Sequence, residues 1–293
     1  MLINKTGVVK AIAIFFTVFL TATAHAQWNI VQEFLAPRTT SCGGLGSTTL
    51  TCTIGPFATA TSGCLSTSCQ AIVANHPSTL MFGMGGDYES GTQAVLTSVS
   101  DCVTLTSGNC ATSLNTWVIQ SNCSAYVTAN SNTFMADCAT VDPSSPGGVV
   151  GGALYITAVR SSDGGESLGF TWNLGFIELN NPGGAHIDSV ASDSDDTIST
   201  THVMTATTVT GTDAIIQFVD GDPASVSSPY TLNTDAGHQG LEYALNITSG
   251  AAPTQTGSLS NPMAGNAVAW TYGSAAASGI NVSGPVLKGP TAQ

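Results

Sequence analysis

Ala206-Thr-Thr-Val-Thr-Gly-Thr-Asp-Ala-Ile-Ile-Gln-Phe-Val-Asp220 reads as strand, turn, strand. Thr205 to Val209 are β-branched or small, and Gly211 to Asp213 punctuate. Ala214 to Val219 then form a short apolar run closed by Asp220-Gly221. β-Branched and aromatic side chains fit a pleated surface, and a run this short between turn residues predicts a buried central strand.

The same grammar recurs along the chain. Strands are predicted at Trp28–Leu35, Thr48–Ile54, Ser78–Met84, Ala94–Ser100, Asn115–Gln120, Gly152–Val159, Gly169–Leu179, Gly240–Thr248 and Asn266–Tyr272. The runs 152–159 and 169–179 are expected to neighbour each other across the Ser161–Glu166 turn. Gly43-Gly44, Gly85-Gly86-Asp87, Pro146-Gly147-Gly148, Asn181-Pro-Gly-Gly184 and Gly221-Asp-Pro223 separate the runs, and no long stretch carries a helical period. Many short strands with Gly and Pro turns predict an all-β, antiparallel β-sandwich, since one sheet could not bury so many apolar runs.

Composition agrees. Charged residues are 8% of the chain and hydrophobic ones 42%. That is too little charge to solvate helix faces and too much apolar surface for disorder. Lys5 and Lys10, the apolar run Ala11–Leu20 and Ala24-His25-Ala26 predict an export signal over 1–26, cut before Gln27. The run is too short for a bilayer span, and no later segment is long and apolar enough to make one. One β-sandwich domain is expected over 27–274, with a loose tail at 275–293. Loss of the leader takes the formal charge from -13 to -15 and leaves Arg38, Arg160 and Lys288 as the basic residues. Such a surface repels phosphate backbones, which excludes nucleic acid and anionic membranes as expected partners.

Eight cysteines in an exported chain predict four disulfides. No C-x-x-C pair supports zinc. Sequential pairing is expected: Cys42–Cys52, Cys64–Cys69, Cys102–Cys110 and Cys123–Cys138, with the 102–138 region read as a disulfide-rich lobe inserted on one edge.

Certain phrases carry a resemblance. They include the leader ending in Ala-Gln-Trp28, "Leu-Met-Phe-Gly-Met-Gly" at 80–85, "Leu-Thr-Ser-Val-Ser-Asp" at 96–101, "Leu-Tyr-Ile-Thr-Ala-Val" at 154–159 and "Asp-Ala-Ile-Ile-Gln-Phe" at 213–218. In this order they resemble a group of exported β-sandwich hypothetical proteins of soil and environmental bacteria. The resemblance implies a jelly-roll-like sandwich and transfers no catalytic residue.

Candidate chemistry is sparse. Gly165-Glu-Ser-Leu-Gly169 matches G-x-S-x-G, which makes Ser167 the one candidate nucleophile. The strand that follows is the wrong context for a nucleophile elbow, and a glycine-rich turn is the plainer reading. Asp188, Asp193, Asp195 and Asp196 are candidate structural calcium ligands in a Ser-rich loop, with Asp220 and Asp222 as a second acidic pair. Without a D-x-D-x-D-G signature, they also read as solvated turn caps. A cut before His25 would allow a copper site with His76, His186, His202 or His238, but the regular cut discards His25. Trp172 and Trp270 are expected inside, whereas Trp117, Tyr126 and Tyr230 are the candidate exposed platforms for stacking on sugar rings.

These features favour a secreted binding, adhesion or surface-display protein whose ligand is a glycan or another cell-surface group. An extracellular hydrolase of polysaccharides or esters and a structural surface or appendage protein are the alternatives.

Overall fold

The computed structural model describes residues 27–36, 42, 49–57, 71, 78–89, 93–129, 132–141, 149–161, 171–180, 185–204, 213–234, 239–248 and 254–272. The segments expected to be an export signal and a tail, with Cys64, Cys69, Ser167 and the 205–212 half of the opening stretch, lie outside these residues.

The strands are β1 (Asn29–Leu35), β2 (Thr51–Ile54), β3 (Ser78–Glu89), β4 (Leu96–Cys102), β5 (Val118–Ile119), β6 (Ala125–Ala129), β7 (Asn132–Val141), β8 (Tyr155–Arg160), β9 (Thr171–Asn180), β10 (His186–Val203), β11 (Asp213–Asp220), β12 (Pro223–Val226), β13 (Thr231–Thr234), β14 (Gln239–Ile247) and β15 (Thr254–Thr271). A 3₁₀ turn spans Ser121–Cys123. Among the described residues no helix is long and apolar enough to cross a membrane.

The strands form an all-β sandwich of antiparallel sheets. One sheet runs β1-β9-β3-β7-β5, with β6 also on β7; a second runs β10-β15-β11-β14-β13, with β12 also on β15; a third runs β2-β8-β4. The first sheet is the middle layer. On β9, Trp172, Leu174 and Phe176 pack with Ile54, Leu96, Ile156 and Ala158 of the three-stranded sheet. Ile177 and Leu179 face the other way, onto Ile216, Phe218, Leu241, Val268 and Trp270 of the second six-stranded sheet. Because side chains alternate along a strand, a middle layer must be apolar on both faces, and β9 is buried along nearly all its length.

β11 is the central strand that Ala214–Val219 predicts, paired to β14 on one side and β15 on the other and buried throughout. Its Phe218 seats between Gly83 and Gly175, which face each other across β3 and β9. Two polar clamps tie β1 to the second sheet. Trp28 N donates to Asn246 Oδ1 at 2.8 Å while Asn246 Nδ2 donates back to Trp28 O at 3.1 Å. Asn233 Nδ2 donates to Glu33 Oε2 at 2.8 Å.

Three expected disulfides are present, Cys42–Cys52, Cys102–Cys110 and Cys123–Cys138. They are consistent with an oxidising environment.

Three expectations are corrected. Residues 152–159 and 169–179 are not neighbours, because β8 joins β2 and β4 while β9 joins β1 and β3. The 102–138 region is only partly a lobe: β6 and β7 belong to the middle sheet, and β7 pairs with β3 from Leu80↔Val141 to Glu89↔Asn132. The acidic segment is no loop but β10, an edge strand paired along β15. Its Ser, Asp and Thr alternation conceals a strand, since an edge needs little apolar surface to stay paired on one side.

Candidate functional site

The loop that follows β4 is organised by one carboxylate. Asp101 is wholly buried at the end of β4. Its Oδ1 accepts from Asn115 N at 2.9 Å and from Trp117 Nε1 at 3.1 Å, and Ser113 Oγ stands 2.8 Å away. Asn115 Nδ2 donates to Oδ2 at 2.5 Å. The main chain joins in, with Leu114 N donating to Asp101 O at 2.9 Å. Asn115 extends the network: Nδ2 also donates to Val150 O at 3.0 Å, and Val150 N donates to Asn115 Oδ1 at 2.7 Å. A buried carboxylate needs such donors to offset lost hydration, so the loop must fold around it.

Covalent and turn geometry stiffen the same loop. Cys102–Cys110 closes it at the base. Thr106 and Asn109 bridge across Ser107 and Gly108, both at positive φ, as a two-residue hairpin turn requires. Cys110 N donates to Thr157 Oγ1 at 2.9 Å, and Thr53 Oγ1 donates to Asn109 Oδ1 at 3.2 Å, which moors the loop to the three-stranded sheet.

This lobe carries apolar side chains into solvent. Val103, Leu114, Val118 and Val150 are 38–49% exposed. Leu114, Val118 and Val150 lie in or next to the Asp101 network, and Val103 follows the Cys102 that closes the loop. Trp117 is half-buried, with its indole edge-on to Phe82 at 6.5 Å between centroids. The lobe therefore presents aliphatic groups to solvent on a hydrogen-bonded, disulfide-closed frame, while the indole packs inward against the core.

The other candidate residues are dispersed. Tyr126 is half-buried on β6 and packs against the core under the three-stranded sheet. Tyr230 corrects the expectation of exposure: it is 7% exposed and packs with Ile215, Ala244, Ala267 and Ala269 on the outer face of the second sheet. Burial, with the charge of Glu242, pushes its phenol up to about 12. Trp172 and Trp270 are buried as expected.

Along β10, Asp188 lies about 16 Å from Asp193 at ~3.3 Å per residue, so the strand does not gather the four aspartates. Asp195 Oδ2 faces His202 Nδ1 at 3.1 Å, and His202 Nε2 faces Ser199 O at 3.0 Å. Burial opposes ionisation of Asp195, but hydrogen bonds from Thr197 and His202 outweigh it and hold the carboxyl below the usual range. Among the described residues no group of three or more His, Cys, Asp or Glu side chains is placed to hold a metal ion. Asp220 is buried and accepts from Asn173 Nδ2 at 2.8 Å and Gly86 N at 3.1 Å, bracing the two large sheets together. His25, His76 and His238 lie outside the described residues.

Buried carboxyls that the sequence does not single out complete the picture. Glu242 of β14 faces Gln217 across the strand pair, and burial raises it to about 8. Burial also raises Asp137, against hydrogen bonds from Ser124 and Leu96, and Glu33, against one from Asn233. Nothing in a sequence distinguishes Asp101 from a surface aspartate, beyond its place at the end of an alternating strand beside a cysteine. No family model, curated protein or solved structure matches the chain.

Proposed function

We propose that this chain is an exported, non-catalytic binding protein of the cell surface or its surroundings, and that the Asp101 lobe is its recognition surface. One observation carries the reading: Val103, Leu114, Val118 and Val150 are held in water around a buried, disulfide-closed network. Ordering these side chains in advance reduces the entropy lost on binding. Their placement on a stiff loop of a scaffold supports reading it as a contact surface.

The occupant is a protein segment with apolar residues and a basic rim. The chain's net charge of -13 favours a cationic partner. A sugar fits less well, since Tyr230 is buried and Trp117 and Tyr126 are only half-exposed, leaving no open aromatic platform among the three. The leader-like N-terminus and the likeness to exported β-sandwich proteins support a secreted location.

Fluorescence anisotropy with a labelled amphipathic Lys/Leu peptide, beside a glycan array, tests the reading. Salt-sensitive peptide binding is expected, lost on Leu114→Ser with Val118→Ser while the melting temperature is kept. Glycan binding with no peptide binding would replace the occupant by a sugar. Peptide binding unaffected by those substitutions would remove the lobe.

A hydrolase reading draws on Glu242, which is protonated at neutral pH and so able to donate a proton. Its cross-strand neighbours are Gln217 and Leu232, neither of them a carboxylate, so the strand pairs themselves do not bring it the second acid that glycoside hydrolysis uses.

A further inference from the structure

β11 ends at Asp220 and β12 begins at Pro223, and both pair with β15, through Asp220↔Ala264 and Pro223↔Gly257. The two residues between them must turn a corner while both ends are fixed. Gly221 has φ +131° and Asp222 has φ +62°, a left-handed conformation uncommon for a residue with a side chain. The corner cannot relax toward β15: a Cβ at Gly221 would lie 2.6 Å from Pro262 O. It is also held from the side. Asp222 is 2% exposed, and its Oδ2 accepts from Asn261 Nδ2 at 2.6 Å. Pro223 is pressed on Gly240, whose Cβ, if present, would stand 2.8 Å from Pro223 Cγ.

Chemistry makes this particular bond special. An aspartate side chain reaches its own main-chain carbonyl through a five-membered ring. Proline nitrogen belongs to a tertiary amide and leaves as a comparatively basic secondary amine. A carboxyl nucleophile held beside its carbonyl has a large effective concentration, and fixing the chain on both sides preserves that advantage.

We propose that Asp222–Pro223 is a self-cleavage site, at which the folded chain hydrolyses its own peptide bond. A side-chain oxygen of Asp222 adds to the Asp222 carbonyl carbon and forms the new C–O bond. The C–N bond to Pro223 breaks, its electron pair goes to the proline nitrogen, and that nitrogen takes a proton from the carboxyl group or solvent. Water opens the resulting cyclic anhydride. The products are a chain ending in Asp222 with two carboxyl groups and a chain beginning with the secondary amine of Pro223. One water is consumed, and no oxidant or cofactor is needed. Because the proline nitrogen must be protonated as it leaves, acid accelerates the step.

The nicked molecule stays assembled. β15, in the C-terminal piece, remains paired to β10 and β11 of the N-terminal piece. All eight cysteines precede residue 139, so no disulfide joins the pieces and a denaturing gel separates them.

The chain supplies its own comparator, a second Asp–Pro bond at Asp142–Pro143. Purified protein is held at pH 4, 5.5 and 7, in buffer and in 8 M urea, and sampled by denaturing gel and intact mass. Expected is a cut at 222–223 at least ten times faster than at 142–143 in the folded chain, faster at lower pH. The two masses should sum to the intact mass plus one water. The preference should vanish in urea, and the cut should be lost in Asp222→Asn and Pro223→Ala. Equal rates at the two bonds in the folded chain, or no fragment while circular dichroism shows folded protein, would overturn the proposal. The comparison of buffer with urea needs no variant, so a misfolded substitution does not weaken the test.

Discussion

Phe218 projects from the centre of β11 onto a cross-strand pair of glycines. A Cβ at Gly83 would lie 2.1 Å from the Phe218 ring, and one at Gly175 would lie 2.2 Å from it. The two glycines are therefore the socket in which the ring lets the two large sheets approach. Phe218→Ala empties that socket and should cost about 3–5 kcal/mol, the range for a buried aromatic truncated to alanine. Gly83→Ala overfills it, and because the ring is flanked by strands on both sides the cost should be about 1–3 kcal/mol or more. Urea titration measures both. The Gly83→Ala loss should shrink when Phe218→Leu is added, since a smaller, flexible side chain yields where a ring cannot; additive losses would contradict the socket. Asp101 is the second residue on which much depends. Asp101→Asn can keep its oxygen on Asn115 N and Trp117 Nε1, but its amide nitrogen then stands donor to donor against Asn115 Nδ2. Leaving buried donors unmatched should cost about 2–3 kcal/mol. The sharper readout is local: limited proteolysis should cut within 103–117 in the variant while wild type resists.

At the scale of elements, β10 explains what its aspartates do. It is the long edge of the second sheet, and an unpaired edge invites another strand. Asp193, Asp195 and Asp196 put charge on that edge, and the Asp195–His202 contact draws the chain into a bulge where the register with β15 shifts after Asp195. Charge and bulge both discourage edge-to-edge pairing. Replacing Asp193, Asp195 and Asp196 by Val should leave the monomer's circular dichroism unchanged but produce soluble oligomers or thioflavin-positive aggregate at concentrations where wild type is monodisperse by light scattering. An equally monodisperse variant would assign the aspartates another role. This strand also shows where sequence reading reaches its limit. Strands with an apolar run, such as 78–84, 171–180 and 213–220, are legible because burial on two faces imposes hydrophobicity that turns then delimit. The three disulfides of the described residues are legible because short separations favour local closure. β10 is polar because only one of its edges is paired, and β7 is broken up by Asp137 and Thr140, whose partners Leu96 and Gln120 come from elsewhere in the chain. Pairing between sheets is illegible for a different reason. β8 and β9 are consecutive but serve different layers, and nothing in either run records which layer it faces. The Asp101 network combines both difficulties, being polar, buried and assembled from residues 101, 113, 115, 117 and 150.

For the whole molecule, the buried carboxyls set how stability depends on pH. Glu242 moves from an ordinary 4.5 to about 8, and burial raises Glu33 and Asp137 as well. In each case the folded chain holds its proton more tightly than the unfolded chain does. Between the ordinary carboxylate range and the folded value, the folded state therefore binds more protons, and stability falls as pH rises. For Glu242 that window runs from about 4.5 to about 8. At about 1.4 kcal/mol per unit, its ionisation removes roughly 3–5 kcal/mol across the window. Asp195 has the opposite sign: its lowered value contributes stability above the ordinary carboxylate range that is lost as pH falls through the folded value. Being partly exposed, it is the smaller effect. The high negative charge acts in the same direction as Glu242, since self-repulsion grows as carboxyls ionise. The midpoint of urea unfolding should thus be highest near pH 5 and decline steadily toward pH 8.5, unlike a protein stabilised by surface ion pairs. Glu242→Gln keeps the shape and the neutral form of the side chain while removing the titration. It should leave stability near pH 5 almost unchanged, raise it at pH 8, and flatten the decline between them. A parallel decline in wild type and Glu242→Gln would mean that Glu242 is hydrated enough to ionise at little cost, and that the chain's total charge alone sets the slope.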